Sequence, residues 1–182
     1  MLIKSFFSGF GGQGVLLMGY TLAYSAMMEE KEVTYLPAYG AEVRGGTAHC
    51  TICISDDDVI ASPVASSPDF ITVMNKPSME KFQSVIQPGG VMLINTTLVD
   101  TRPTRGDIQV YEIPATGIAE DLGNVKAANM VMVGAFIKQT GLVKIQTVID
   151  NLENIFGARR KKLVEFNKKA IRAGYDYRND DN

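Results

Sequence analysis

The stretch LIKSFFSGFGGQGVLLMGYTLAYSAMM, residues 2–28, decides the fold. Leu2, Ile3, Phe6 and Phe7 make a short, mostly apolar run of strand length. The glycine-rich turn GFGGQG follows, from Gly9 through Gly11, Gly12 and Gln13 to Gly14. Val15 to Met28 then reads as a helix, with Val15, Gly19, Leu22 and Ala26 along one side. Strand, glycine turn and helix predict the first half of a βαβ unit. Residues without Cβ let the backbone bend sharply and let an anion approach the N–H groups at a helix N-terminus. A ligand is therefore expected near this turn.

Working outward, Val33 to Leu36 reads as a second strand, ended by Pro37 because proline lacks the ladder donor. The segment 38–46 carries Tyr39, Glu42 and Arg44 among Gly40, Gly45 and Gly46, a pliant backbone that presents a few large polar groups. Thr47 to Ser55 returns as a strand, and Asp56 to Asp58 make an acidic turn. Strands are expected over 69–75, 91–95 and 108–114, with short helices over 77–85 and 115–122. The stretch 125–140 is apolar nearly all round, which predicts a buried helix. Two more helices follow, marked by Ile145, Val148, Leu152 and by Leu163, Phe166, Ala170 and Ile171. Strands alternating with helices imply an α/β fold of three layers, α/β/α, around a mostly parallel, mixed sheet with a Rossmann-like start. Residues 1–176 are expected to form one domain and 177–182 a polar tail.

The composition narrows the function classes. A length of 182 residues with 46% apolar and 21% charged residues suits one soluble globular domain. The net charge of −2 offers no global field for nucleic acid. No apolar run reaches the length of a membrane span, and no signal-peptide pattern opens the chain, so a cytoplasmic location is expected. Cys50 and Cys53 have a C-x-x-C spacing, but on a strand they point to opposite faces and cannot share an ion. Two cysteines also fall short of an iron–sulfur ligand set. His49, the one histidine, is expected to pack or to hydrogen-bond the backbone. The cluster Arg159, Arg160, Lys161 and Lys162, with Lys168, Lys169 and Arg172, reads as a solvated helix face or as a surface for an anionic partner.

Gly9, Gly11 and Gly14 satisfy G-x-G-x-x-G in the required strand–turn–helix context. A dinucleotide site also needs an acid closing the second strand, and Leu36, Pro37, Ala38 and Tyr39 stand there instead. No Lys-Ser/Thr pair follows the glycines, so the turn is not a P-loop. It either binds a ligand or packs helix on strand. The Arg44 guanidinium can fork onto a carboxylate or phosphate of a ligand, or pair with Glu42. No nucleophile with a base and no metal-ligand set is evident, so no catalytic residue is expected in this chain.

GFGGQGV (9–15), YGAEVRGGTAHCTI (39–52), Pro68-Asp69, NVKAANMVMVGA (124–135) and NKKAIRAG (167–174) together resemble the gamma subunit of 2-oxoacid:ferredoxin oxidoreductases, in the pyruvate/ketoisovalerate oxidoreductase catalytic-domain family. The resemblance implies a complex that decarboxylates a 2-oxoacid, transfers the acyl group to coenzyme A and reduces ferredoxin. It places thiamine diphosphate and iron–sulfur clusters in partner alpha and beta subunits, with a delta subunit an open addition, and no cofactor in this chain alone. Gly9, Gly11, Gly12, Gln13, Gly14, Tyr39, Glu42, Arg44, Gly45 and Gly46 would line the inter-subunit, coenzyme A side of the site. The short chain resembles the 2-oxoglutarate type most. The isolated chain is open to forming a homodimer, and a stand-alone nucleotide-binding Rossmann-like oxidoreductase and a purely structural scaffold subunit are the alternatives.

Overall fold

Both faces of the first strand are apolar, and that makes it central. In the computed structural model, which describes residues 1–40, 46–56 and 59–178, β1 (Leu2–Phe10) sends Phe7 into one hydrophobic core and Phe6 into another. The remaining strands are β2 (Glu32–Tyr39), β3 (Thr47–Ser55), β4 (Phe70–Val73), β5 (Val91–Asn95) and β6 (Gln109–Ile113). They form one sheet in the order β2-β3-β1-β4-β5-β6. Pairings β1–β4, β4–β5 and β5–β6 are parallel, while β3 runs antiparallel to both β1 and β2. The sheet is thus mixed and mostly parallel, as expected.

One expectation changes, the end of β2. The helix α1 (Val15–Met28) carries the chain from β1 to β2, and β3 lies between those strands. The short connection after β2 lets β3 fold back as a hairpin partner and take the place beside β1, a non-local choice that a local βαβ pattern does not contain. Pro37 does not end β2, which continues to Tyr39. Because β2 is an edge strand, one row of its donors has no strand to meet, so a proline there need cost no ladder bond.

The layers are unequal. One face of the sheet is covered by α1, α3 (Ala115–Asp121), α4 (Ala128–Thr140), α5 (Ile145–Phe156) and α6 (Lys161–Asp176), which contribute to the larger core around Phe7, Leu22, Ile52 and Phe136. Among the described residues the other face carries one helix, α2 (Lys76–Phe82), and a smaller core that includes Phe6, Ile71, Val73, Met79, Met92 and Ile94. Cys50 faces the larger core, where its thiol donates to Val15 O at 3.6 Å. Cys53 faces the opposite way and donates to Ser62 O at 3.7 Å. His49 lies on the smaller side, stacked on Phe6 with ring centroids 5.2 Å apart and 5.7 Å from Phe82. It packs, as expected, and its Nδ1 has no hydrogen-bond partner among the described residues. Tyr177 packs against the larger core, and residues 179–182 of the expected tail lie outside the described residues, as do Asp57 and Asp58.

Helices α4 and α6 meet backbone to backbone. A Cβ at Gly174 would stand 1.8 Å from Val131 O, and one at Gly134 1.9 Å from Ile171 O. No rotamer change relieves such an overlap, because the obstructing atoms belong to the main chain. Gly174→Ala is expected to force the helices apart and cost about 3 kcal/mol. A melting temperature lower by about 6–12 °C would register it. Gly106→Ala, with nothing within 4 Å of its added methyl, is the near-neutral control.

His49 supplies a pH prediction. Burial, and then the nearby Lys81 charge, lower its pKa below the ordinary 6.5. The folded state therefore holds this proton less tightly than the unfolded chain does, so stability falls as pH drops below 6.5 until the folded pKa is passed. Urea melts between about pH 7 and about pH 5 should show this loss, and His49→Phe should flatten that portion of the curve.

Candidate functional site

Adjacent parallel strands that send their helices to opposite faces leave a crevice between their C-terminal ends. β1 and β4 do this: α1 leaves toward the larger core, α2 toward the smaller one. The crevice between them has a volume of about 190 Å³ and is lined by Gly12, Gln13, Met74, Leu98, Thr116, Val125, Lys126 and Ala128. The glycine turn forms one wall. Gly12 and Gly14 adopt φ of 100° and 71°, a left-handed backbone that reverses the chain into α1.

Three side chains, Gln13, Asn75 and Asn129, lock this turn. Gln13 Oε1 accepts from Phe10 N at 2.7 Å and from Asn75 Nδ2 at 2.8 Å, while its Nε2 donates to Met74 O at 3.3 Å. Asn75 in turn caps α2 by accepting from Ser78 N at 2.9 Å. On the far wall, Asn95 Nδ2 donates to Thr116 Oγ1 at 2.9 Å and Asn95 Oδ1 accepts from Thr116 N at 3.2 Å. Asn129, buried at the start of α4, donates to Gly14 O at 3.3 Å, and a Cβ at Gly14 would stand 2.4 Å from its amide nitrogen. The 3₁₀ turn Val125–Ala127, capped by Asn124, presents Lys126 at the rim.

The expected site residues divide into three groups. Gly9, Gly11, Gly12, Gln13, Gly14 and Gly46 come together, with Gly11 N donating to Gly46 O at 3.1 Å, so the two glycine motifs meet. Tyr39 is strongly exposed, at 74%, in the same row across the sheet as Gly9, with Ala48 between them. Glu42, Arg44 and Gly45 lie outside the described residues. Sequence reading missed Asn75, Asn95, Thr116, Lys126 and Asn129. Asn75 had a signal, an N-cap asparagine two residues before Pro77. Asn129 had another, a polar residue inside an apolar helix. The Asn95–Thr116 pair had none, since 21 residues separate its members.

Among the described lining residues only Lys126 is charged, and none is a carboxylate, thiol or imidazole. Cys50 lies behind the turn, where burial pushes its thiol up to about 12 and keeps it protonated at neutral pH. Gln13 lines the crevice and also holds the turn together. Gln13→Met keeps its length but leaves Phe10 N and Asn75 Nδ2 without an acceptor, and is expected to cost about 2 kcal/mol in denaturant unfolding.

Comparison with known proteins places this geometry. The family described as "Pyruvate ferredoxin/flavodoxin oxidoreductase" matches residues 4–177. Ketoisovalerate oxidoreductase subunit VorA of Methanothermobacter marburgensis is 36% identical over 172 residues, which are 93% of this chain and 35% of VorA. The chain thus spans about a third of that relative's length. 2-Oxoglutarate synthase subunit KorC of Methanocaldococcus jannaschii is 34% identical over 168 residues, 88% of either chain. Among solved structures, the gamma subunit of the keto/oxoacid ferredoxin oxidoreductase of Geobacter sulfurreducens superposes with a TM-score of 0.79 at 28% identity, covering 95% of this chain and 96% of that one. Matched over residues 4–177, the chain belongs to the pyruvate ferredoxin/flavodoxin oxidoreductase family.

Proposed function

We propose that this chain is the gamma subunit of a multi-subunit 2-oxoacid:ferredoxin oxidoreductase, in which it forms the coenzyme A side of the site and part of the inter-subunit surface. The observation that carries the reading is the near end-to-end correspondence with a short subunit, 88% of KorC, and with a solved gamma subunit, 96% of its chain. The crevice supports the coenzyme A side. It offers an apolar wall of Met74, Leu98 and Val125 and one cation, Lys126, which suit the thiol-bearing arm of coenzyme A and a phosphate better than a whole nucleotide. Tyr39, Glu42, Arg44, Gly45 and Gly46 complete this side in the proposal, with Arg44 forking onto a phosphate.

The decarboxylation and electron-transfer chemistry is assigned to alpha and beta partner subunits. Cys50 and Cys53 lie on opposite faces of β3, so they cannot ligate one iron. Among the described residues no group of three His, Cys, Asp or Glu could hold a metal. Ferredoxin would be met through the complex. No helix among the described residues is long and apolar enough to cross a membrane, and we place the assembly in the cytoplasm.

The proposed substrate is 2-oxoglutarate, after KorC, although related chains carry ketoisovalerate and pyruvate in their names. A tagged chain purified from its own cells is expected to bring thiamine-diphosphate- and cluster-containing subunits with it. The preparation should then reduce a low-potential dye only when 2-oxoglutarate and coenzyme A are both present. Arg44→Ala is expected to raise the KM for coenzyme A about tenfold with the KM for the 2-oxoacid unchanged. A chain that emerges alone and binds NAD specifically would overturn the reading in favour of a nucleotide-binding oxidoreductase.

A further inference from the structure

Charge is divided unevenly along this chain. Residues 159–172 hold seven of its 18 lysines and arginines and one of its 20 acids, a balance of +6. The chain as a whole carries −2, so the remainder carries −8. Six of the seven cations, Arg159, Arg160, Lys161, Lys162, Lys169 and Arg172, are exposed and make no ion pair among the described residues, whereas Lys168 pairs with Glu165 at 2.7 Å. Arg159 and Arg160 lie in the 3₁₀ turn Ala158–Arg160, and the others follow on α6, whose Val164, Asn167, Ala170 and Ile171 are buried. The cations thus share the wet side of one helix, over about 20 Å. Between them lies an open hollow of about 340 Å³, lined by Lys161, Lys162, Glu165, Phe166 and Lys169, in which the half-buried Phe166 is the one apolar residue.

Folding does not account for this grouping. Cations near a helix N-terminus oppose the macrodipole, and α6 has neither an acid in its first turn nor a side chain that caps its first N–H groups. Lys168 and Arg172 stand four residues apart, a like-charge spacing that destabilises a helix. We propose that this face docks an acidic segment of a partner protein, with carboxylates against the lysines and arginines and an apolar side chain over Phe166. The inference goes beyond the subunit reading and does not depend on it.

The chemistry of the face selects this occupant among anions. The hollow sets an apolar residue inside a rim of lysines, and a peptide offers side chains of both kinds where a phosphate chain does not. The patch is also short and bordered by acid: Asp150 and Glu153 of α5 both act on Lys168. A nucleic acid, evenly charged along its length, would be carried past the patch onto a surface of its own sign. Adsorption to a bilayer draws on an exposed apolar face, and among the described residues α6 exposes no large apolar side chain. The patch is separate from the crevice. Val131 meets Gly174 and Gly134 meets Ile171, so α4 and α6 run antiparallel, and Asn129 at the start of α4 touches the glycine turn. Gly174 therefore lies toward the crevice, and Lys162 is about 18 Å further along the helix, away from it.

The test follows the fluorescence anisotropy of a capped, fluorescein-labelled oligoglutamate peptide with a central leucine as the chain is added. Arg159→Glu/Arg160→Glu and Lys162→Glu/Lys169→Glu each reverse two charges of the patch. Lys144→Glu, at the far end of α5, is the control. Arg159→Glu/Arg160→Glu brings acids to a helix N-terminus, so its melting temperature is expected at or above that of the wild type, and lost binding there is not lost folding. The expected result is saturable binding that weakens as salt rises, by about tenfold or more in both double variants and within about twofold of wild type in Lys144→Glu. A peptide with serine in place of its leucine is expected to bind about threefold more weakly. Equal affinity for the serine peptide would remove Phe166 from the contact and with it the choice of a protein partner. Absent peptide binding, or binding unchanged in both double variants, would overturn the proposal. Tighter binding of oligothymidylate or of phosphatidylserine vesicles than of the peptide would give the face to another class of partner. Self-association of the wild type that the reversals abolish would give it to a second copy, and either result overturns the proposal.

Discussion

The absence of a side chain at Gly9 is the constraint on which the rest of the site depends. A Cβ there would fall 2.7 Å from Gln13 Oε1, 2.7 Å from Val15 Cγ2 and 2.9 Å from Met74 Cβ. Three parts of the molecule converge on that point: the turn that leaves β1, the first residue of α1 and the end of β4. Only a glycine lets them do so. The Gln13 amide then fits the space beside β1, and its bonds to Phe10, Asn75 and Met74 tie the turn to the neighbouring strand. The glycine signature that reads in a sequence as a phosphate cradle serves first as a packing device. Helix α1 can leave β1 close to β4 because nothing at position 9 keeps them apart.

Rigidity propagates outward from this point through satisfied amides. Asn75 links Gln13 to the first turn of α2, Asn95 links β5 to α3, and Asn129 links α4 to the turn itself. Each buried amide meets a partner, which avoids the desolvation penalty of a few kcal/mol that an orphaned polar group would incur. Below the site, α4 and α6 touch main chain to main chain at Gly134 and Gly174, an arrangement that tolerates no slippage. The floor of the crevice therefore has little freedom to rearrange around a ligand. What is left to vary is the rim, where Leu98, Val125 and Lys126 are exposed.

Much of this was legible in the chain because it was local. The helix Val15–Met28 and the strand Thr47–Ser55 have in the structure the bounds read from the residues, while the first strand runs on through Gly9 and Phe10 into what reads as the glycine turn. The opposite facing of Cys50 and Cys53 follows from the pleat alone. Edge or centre, by contrast, is a property of the sheet and not of a strand, so Pro37 looked like a terminus when it is an interior residue of an edge. The insertion of β3 between β1 and β2 was hidden for the same reason. The site was half legible. Glycines announce a turn wherever they stand, whereas Asn129 acquires its meaning only beside Gly14, 115 residues away.

In the proposed role, a crevice whose described lining carries one cation, Lys126, and no carboxylate, thiol or imidazole contributes through position. Holding a second reactant at a defined place converts an encounter into an intramolecular step, and this can supply several kcal/mol of a barrier without any group that gives or takes a proton. That contribution depends on the holder being stiff, and stiffness is what the amide links and the glycine crossing provide.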